Sequence, residues 1–235
     1  MQAIILSGGR GARLSPFTNN CPKGMLKIEN KPILEYQLEW LVKYGVGKII
    51  FACGYLSQVI QNYFRDGRKF GVQVDYSIED EPLGRGGAVK YAWKNFPTNE
   101  KVIVTNGDIC TGMDLQLAID AHVEQNLKRG VLATISLFPY KSPYGIVRLN
   151  EDGYVIGFDE KRALPYWVNG GIYVFEPGIM DYLPDKGDHE VTTFPVLAQK
   201  SLIYGYKSMD FWKGIDTIKD LNEFSVECKN LESVK

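Results

Sequence analysis

Met1-Gln2-Ala3-Ile4-Ile5-Leu6, running straight into Ser7-Gly8-Gly9-Arg10-Gly11-Ala12-Arg13-Leu14, opens the chain and decides its fold class. The first six residues are almost wholly apolar without alternation, the pattern of a strand buried on both faces of a parallel sheet. Three glycines then stand where a strand feeds a turn, the ligand position at the carboxyl edge of an open α/β sheet. Lacking a Cβ, glycine reaches positive φ and lets successive backbone N–H groups face phosphate oxygens in a concave nest. Arg13 can lay a planar fork of donors on a phosphate, and Lys23, in Pro22-Lys23, adds a compact point charge. Leu14 stands where the third glycine of G-x-G-x-x-G would follow Gly9 and Gly11, which disfavours NAD. No G-x-x-x-x-G-K-[S/T] occurs either. A plain structural turn is the competing reading of this loop taken alone.

Outward from the loop, strands and helices alternate. Residues 32–44 carry Ile33, Leu34, Leu38, Leu41 and Val42 near helical spacing, and Gly45-Val46-Gly47 stops that helix before an apolar strand at 48–53. A helix over 58–64, a strand over 72–78, a helix over 86–95 and a strand over 102–105 follow, implying a mostly parallel sheet. After a helix at about 115–124 the pattern changes to short strands at 131–137, 145–149, 154–158 and 167–175. This mixed or antiparallel portion is expected to extend the same sheet and close over the pocket. Residues 217–228 read as a final helix capped by Thr217 or Asp216. With no linker or break in composition, 1–235 is expected as a single domain, with a nucleotide-binding half at about 1–112 and a sugar-phosphate-binding half at about 113–235.

The chain has 235 residues, 27 basic and 28 acidic, so no global field invites nucleic acid or an anionic membrane, and any anion site is local. Cys21, Cys53, Cys110 and Cys228 are scattered, with no C-x-x-C pair or histidine cluster, against a disulfide framework or a zinc site. No basic leader precedes the first strand and no apolar run nears the ~20 residues of a membrane span. A cytoplasmic location is expected.

Several side chains carry chemistry. Asp108, in Asn106-Gly107-Asp108, follows the strand at 102–105 on the same carboxyl edge as the glycine loop. Asp216 follows a short strand in Trp212-Lys213-Gly214-Ile215-Asp216. Two such carboxylates suit a hard divalent ion; a turn for Asp108 and a helix cap for Asp216 are the plainer readings. Glu160-Lys161 is a charge pair at a strand end. Asn169-Gly170-Gly171 interrupts an apolar strand, where glycines mark close approach of a ligand or another backbone, or a β-bulge. A second glycine-rich connection, Glu79-Asp80-Glu81-Pro82-Leu83-Gly84-Arg85-Gly86-Gly87, precedes a helix whose amino terminus faces the same edge and could meet a nucleotide.

Together these segments resemble the sugar-1-phosphate nucleotidyltransferases, whose signature G-G-x-G-x-R-L with a following P-K is read in Gly8-Gly9-Arg10-Gly11-Ala12-Arg13-Leu14 and Pro22-Lys23. Lys31-Pro32-Ile33-Leu34-Glu35-Tyr36, Glu81-Pro82-Leu83-Gly84, Asn106-Gly107-Asp108, Tyr144-Gly145, Phe158-Asp159-Glu160-Lys161 and Asn169-Gly170-Gly171 resemble family segments in family order. Through Phe64-Arg65-Asp66-Gly67 and the stretch from Tyr76 to Gly84, the chain looks most like short guanylyltransferases acting on mannose or manno-heptose 1-phosphate.

The resemblance implies a Rossmann-like, GT-A-like fold: a mostly parallel mixed sheet flanked by helices, with a short antiparallel sugar-binding portion. It implies catalytic roles for Arg13, Lys23 and Asp108, and Mg²⁺ held by Asp108 and Asp216. Leu6, Ser7, Gly8, Gly9, Arg10, Gly11, Arg13, Lys23, Glu79, Gly84 and Asn106 would bind nucleotide. Tyr144, Gly145, Glu160, Lys161, Asn169 and Gly170 would bind the sugar phosphate. Two positions depart from the family pattern: Ala12 replaces a frequent threonine, and Arg85 replaces a small residue, where it could crowd the base or add a phosphate contact.

The implied reaction is attack of a sugar 1-phosphate on the α-phosphorus of a nucleoside triphosphate, so the partners are these two small molecules, with homo-oligomerisation left open. The resemblance makes Glu79 the reader of the base edge. A carboxylate only accepts, which matches guanine, with two adjacent N–H groups, better than uracil, with one. Uridylyl-, thymidylyl- or cytidylyltransfer on the same fold is the alternative. A regulatory paralogue that binds nucleotide-sugar without turnover is another. A glycosyltransferase is a third, disfavoured because Asn106-Gly107-Asp108 is not D-x-D.

Overall fold

The computed structural model describes residues 1–160 and 162–232, with side chains through 225. The opening apolar run forms β1 (Gln2–Ser7); two short strands, β2 (Lys27–Ile28) and β3 (Lys31–Pro32), lead into α1 (Ile33–Lys43). Then come β4 (Lys48–Cys53), α2 (Ser57–Phe64), β5 (Gln73–Ile78), α3 (Gly84–Asn95), β6 (Val102–Asn106), β7 (Ile109–Thr111) and α4 (Leu115–Arg129). The remainder comprises β8 (Ala133–Lys141), β9 (Ile146–Leu149), β10 (Val155–Asp159), β11 (Ala163–Phe175), α5 (His189–Gln199), β12 (Ile203–Lys207), β13 (Trp212–Gly214) and α6 (Ile218–Glu232).

A seven-stranded sheet in the order β12-β8-β11-β6-β1-β4-β5 crosses the molecule. β5, β4, β1 and β6 are mutually parallel, β11 runs antiparallel between β6 and β8, and β12 lies parallel to β8. The expected mostly parallel, helix-flanked mixed sheet is what forms. Because successive strand residues point to opposite faces, β1 feeds two cores at once. Ala3 and Ile5 pack with Leu34, Leu38 and Leu41 of α1 and with Phe64 of α2, whereas Ile4 packs with Val89 and Trp93 of α3 and with Leu197 of α5. A strand buried on both faces has to be apolar at consecutive positions, which is why Ala3-Ile4-Ile5 shows no alternation.

Two expectations need correction. β9 and β10 do not extend the main sheet; they pair only with each other in an antiparallel ladder. The reason is steric: β8 is flanked by β12 and β11, and β11 by β8 and β6, so neither offers a free edge. The helix after Glu79 begins at Gly84, two residues earlier than its periodicity implies, which brings Arg85 into its first turn. The stretch 176–211, for which no element is expected, supplies α5 and the edge strand β12. Among the described residues no helix is long and apolar enough to cross a membrane.

Candidate active site

Parallel strands end on one edge, so β1, β4, β5 and β6 deliver Ser7, Gly54, Glu79 and Asn106 to the same side of the sheet. They surround a cleft of ≈ 300 Å³ lined by Leu6, Gly8, Gly9, Lys23, Glu79 and Asp108, among others. The turn after β6 is sewn in place: the Gly107 N–H donates to the Leu6 carbonyl at 2.7 Å, and the Gln37 side-chain amide donates to the carbonyls of Asn106 at 2.7 Å and Ile109 at 2.6 Å. Gln37 is buried on α1 and has no counterpart among the candidate residues above. Its signal lies in the sequence all the same, as the one polar side chain in the helical series Leu34, Gln37, Leu38, Leu41.

Asp108 and Asp216 are brought together by a short ladder. β7 pairs antiparallel with β13, Ile109 facing Gly214, so the residue before one strand meets the residues after the other. Asp108 Oδ2 and Asp216 Oδ1 each accept from Lys23 Nζ at 2.6 Å, and Asp216 Oδ1 also accepts from Arg13 Nη2 at 2.7 Å. Two carboxylates able to share one ammonium at this range can share one hard cation, whose other positions phosphate oxygens and water would fill. The donor set therefore fits a divalent ion of the Mg²⁺ class.

The glycine loop meets this cluster from β1. Gly11 sits at φ +63, and a Cβ there would lie 2.9 Å from Lys23 Cβ, so the left-handed turn and the passage of Lys23 both require glycine. Gly9 faces open space, consistent with a backbone presented to a ligand. Arg10 turns away, its guanidinium 5.6 Å from the Tyr55 ring centroid, and the Ser7 hydroxyl donates to the Ala52 carbonyl at 3.1 Å. Glu79 covers the far wall: a Cβ on Gly8 would fall 2.6 Å from its Oε1, and its Oε2 accepts from the Leu83 N–H at 3.1 Å. Burial raises the Glu79 carboxyl above its ordinary range, partly offset by that N–H. Asn106 reaches the cleft with a buried Oδ1 that has no hydrogen-bond partner.

Three N–H groups in the first turn of α3 are already engaged. The N–H groups of Gly86 and Gly87 donate to the Gly187 carbonyl at 2.9 and 3.1 Å, and the Arg85 N–H donates to Asp188 Oδ1 at 2.8 Å. The glycines of this second loop serve close packing: a Cβ on Gly84 would lie 2.7 Å from the Gly187 carbonyl carbon, and one on Gly86 2.9 Å from His189 N. Arg85 lines the same cleft, with its charge already engaged there. Its guanidinium pairs with Asp188 at 3.4 Å and Glu190 at 3.0 Å. The caps come from residues 187 and 188, just ahead of the unanticipated α5, so they were not among the expected site residues.

The sugar-side candidates divide. A Cβ on Gly145 would lie 3.0 Å from Glu160 Oε2, so these two are brought together, while the Tyr144 side chain is exposed. Lys161 lies outside the described residues. Asn169 accepts from the Gly171 N–H at 2.8 Å and donates to the Tyr173 hydroxyl at 3.0 Å. The pairing of β11 with β8 shifts between Asn169 and Tyr173, so the bulge reading of these glycines holds. Gly171, at φ +66, lets β11 pass Asn106, whose amide nitrogen would be 2.5 Å from a Cβ. The Gly170 carbonyl accepts from Trp212 Nε1 at 2.8 Å, tying the bulge to β13 and so to Asp216.

A family model described as Nucleotidyl transferase matches residues 2–230. A Synechocystis protein named UTP–glucose-1-phosphate uridylyltransferase is 34% identical over 241 residues, covering 94% of this chain and 61% of the relative. The chain thus spans less than two thirds of that relative's length. A D-glycero-alpha-D-manno-heptose 1-phosphate guanylyltransferase of Aneurinibacillus thermoaerophilus is 39% identical over 184 residues, 77% of each chain. In three dimensions, HddC from Yersinia pseudotuberculosis, solved with GMP-PN, superposes with a TM-score of 0.73 at 28% identity, covering 96% of this chain and 98% of that one.

Proposed function

The chain belongs to the nucleotidyl transferase family, and from that premise we propose that it joins a nucleoside triphosphate to a sugar 1-phosphate, releasing pyrophosphate. One observation carries the reading: two carboxylates and two cations meet at the glycine-loop cleft, Lys23 contacting Asp108 and Asp216 at 2.6 Å each and Arg13 contacting Asp216 at 2.7 Å. An oxygen of the sugar phosphate forms the new bond to the α-phosphorus as the bond to the β-phosphate oxygen breaks. The nucleophile is already an anion, so no protein nucleophile or proton relay is needed, and catalysis is alignment and charge neutralisation. Arg13 and Lys23 take the triphosphate oxygens, and Arg13 holds the departing pyrophosphate. Asp108 and Asp216 would hold Mg²⁺, which when bound supplies Lewis-acid polarisation of the phosphate.

The nucleotide lies along Leu6, Ser7, Gly8, Gly9, Gly11 and Asn106, with Glu79 and Gly84 at the base. The sugar phosphate lies toward Gly145, Glu160 and Asn169. Guanine is the proposed base, on the acceptor-only chemistry of Glu79 and the name of the Aneurinibacillus relative, with mannose- or manno-heptose 1-phosphate as co-substrate. Uridylyl transfer to glucose 1-phosphate is the second reading, favoured by the name of the Synechocystis relative. Residues 1–235 are taken as one catalytic domain, because strands from both halves enter the same sheet. We place it in the cytoplasm, in keeping with free thiols at Cys21 and Cys53. ATP, CTP, GTP, UTP and dTTP crossed with mannose, glucose, manno-heptose and N-acetylhexosamine 1-phosphates, read as pyrophosphate release, test the reading. A preference for UTP or dTTP overturns guanine, and no release from any pair overturns the activity.

A further inference from the structure

We propose that Lys23 holds the place of the divalent cation in the free protein, so that Asp108 and Asp216 take up metal only together with the triphosphate. The inference rests on the nucleotidyltransferase reading for the identity of that anion. Three features carry it. First, the ammonium is centred between the two carboxylates, 2.6 Å from each, the position a shared ion would need. Asp216 Oδ1 is further engaged by Arg13 at 2.7 Å. Two cations on two carboxylates make the cluster locally neutral, so a divalent ion arriving alone brings uncompensated positive charge beside Lys23 and Arg13.

Second, the ligand set is thin. Among the described residues, no group of three or more His, Cys, Asp or Glu side chains is placed to hold a metal. A small hard cation that seeks six oxygens draws the rest from water or from phosphates, and phosphates also supply the missing negative charge.

Third, Lys23 has one way to leave. Its backbone is wedged, since a Cβ on the adjacent Gly24 would fall 2.6 Å from Leu34 Cγ and 3.0 Å from the Gly107 carbonyl oxygen. The close packing beside Gly24 leaves the flexible Lys23 stem as the part free to swing. Lys23 itself lines the cleft together with Gly8 and Gly9, so the side chain's other destination is the phosphate site. One ammonium thereby serves as counter-ion to the carboxylates before binding and to the triphosphate after it.

The test is Mn²⁺ uptake measured by electron paramagnetic resonance on wild type, Lys23→Met and Lys23→Gln, each checked for folding by its circular-dichroism melt. In Mn²⁺ alone, both variants are expected to bind roughly tenfold or more tightly than wild type, the scale of one close charge repulsion relieved. Adding Asp216→Asn to either variant abolishes the gain. With guanosine 5′-(β,γ-imido)triphosphate present, wild type recovers tight uptake. Wild type that binds Mn²⁺ alone as tightly as both variants overturns the proposal, as does a gain that survives Asp216→Asn. If calorimetry finds no binding of the analogue to any of the proteins, the guanine reading fails, while the comparison in Mn²⁺ alone still decides the position of Lys23.

Discussion

The backbone N–H of Ile215 donates to the carbonyl oxygen of Asp108 at 2.8 Å. That bond continues the β7–β13 ladder one step past its last strand pair and sets the next residue, Asp216, against Asp108. The catalytic reading depends on it, because neither carboxylate has a local reason to face the other.

Arg13→Ala is expected to lower pyrophosphate release by about 10²-fold or more, the usual cost of losing a preorganised donor. The Arg13 side chain is 72% exposed and its pair with Asp216 is solvent-screened, so the melting temperature should stay within error of wild type. Near-normal turnover would remove Arg13 from the mechanism.

Gln37→Leu removes the donor shared by two carbonyls at the edge of the active site. The Ile109 carbonyl loses a buried donor while the Asn106 carbonyl keeps the Thr105 hydroxyl at 3.3 Å, and the unpartnered Gln37 Oε1 is relieved, so a net loss of about 1–3 kcal/mol is expected in urea unfolding. Because the same bonds hold the turn carrying Asp108, kcat should fall at temperatures where the variant is fully folded. Unchanged kcat would reduce Gln37 to a packing role.

Gly171→Ala forces a Cβ into the left-handed region and to 2.5 Å from the Asn106 amide. Backbone strain alone is worth about 1–3 kcal/mol. With Asn106 displaced at the cleft, KM for the nucleotide should rise, as measured by initial rates; Gly153→Ala, also at positive φ but with no atom near its Cβ, should destabilise without touching KM.

Glu79→Gln keeps an acceptor for the Leu83 N–H but replaces the acceptor-only edge with one that also donates. KM for GTP is expected to rise about tenfold or more, the scale of one charge-assisted hydrogen bond, with a smaller change for UTP. Equal effects on both nucleotides would count against Glu79 as the base reader.

His189 is fully buried among Tyr173, Phe175 and Phe194, and neither ring nitrogen has a hydrogen-bond partner. Burial, with the nearby Arg85 charge adding to it, pushes its pKa down from 6.5 to about 4. The unfolded chain takes up this proton first, so stability is fully present above pH 6.5 and is lost as pH falls toward 4, by roughly 3 kcal/mol. His189→Phe should match or exceed wild type at pH 7 and flatten the melting temperature between pH 6.5 and 4. Parallel curves for the two proteins would show that His189 is not the group responsible.

Much of this molecule is written locally. Ala3-Ile4-Ile5 announces a strand between two helix layers because burial on both faces demands consecutive apolar side chains. Gly11 announces a left-handed turn, and Gln37 a buried polar contact, because each violates the chemistry of its surroundings without a partner. Even so, periodicity read from one strand says nothing about which edge remains free. β9 and β10 therefore pair with each other, and residues 176–211, weak in period and carrying Pro195 inside a helix, show no local signal although they cap α3 and hold Arg85.

The sequence by itself determined the alternating architecture, the edge on which ligands gather and the identity of the charged groups there, since each follows from short-range sterics and burial. Only the tertiary structure decided what those groups do to one another. Asp108 and Asp216 meet through a ladder between distant segments, Lys23 reaches both from a closely packed turn, and the N–H groups of Arg85, Gly86 and Gly87 in α3 donate to Asp188 and Gly187. Such contacts depend on how separate elements close in space, and no local pattern of residues encodes that closure.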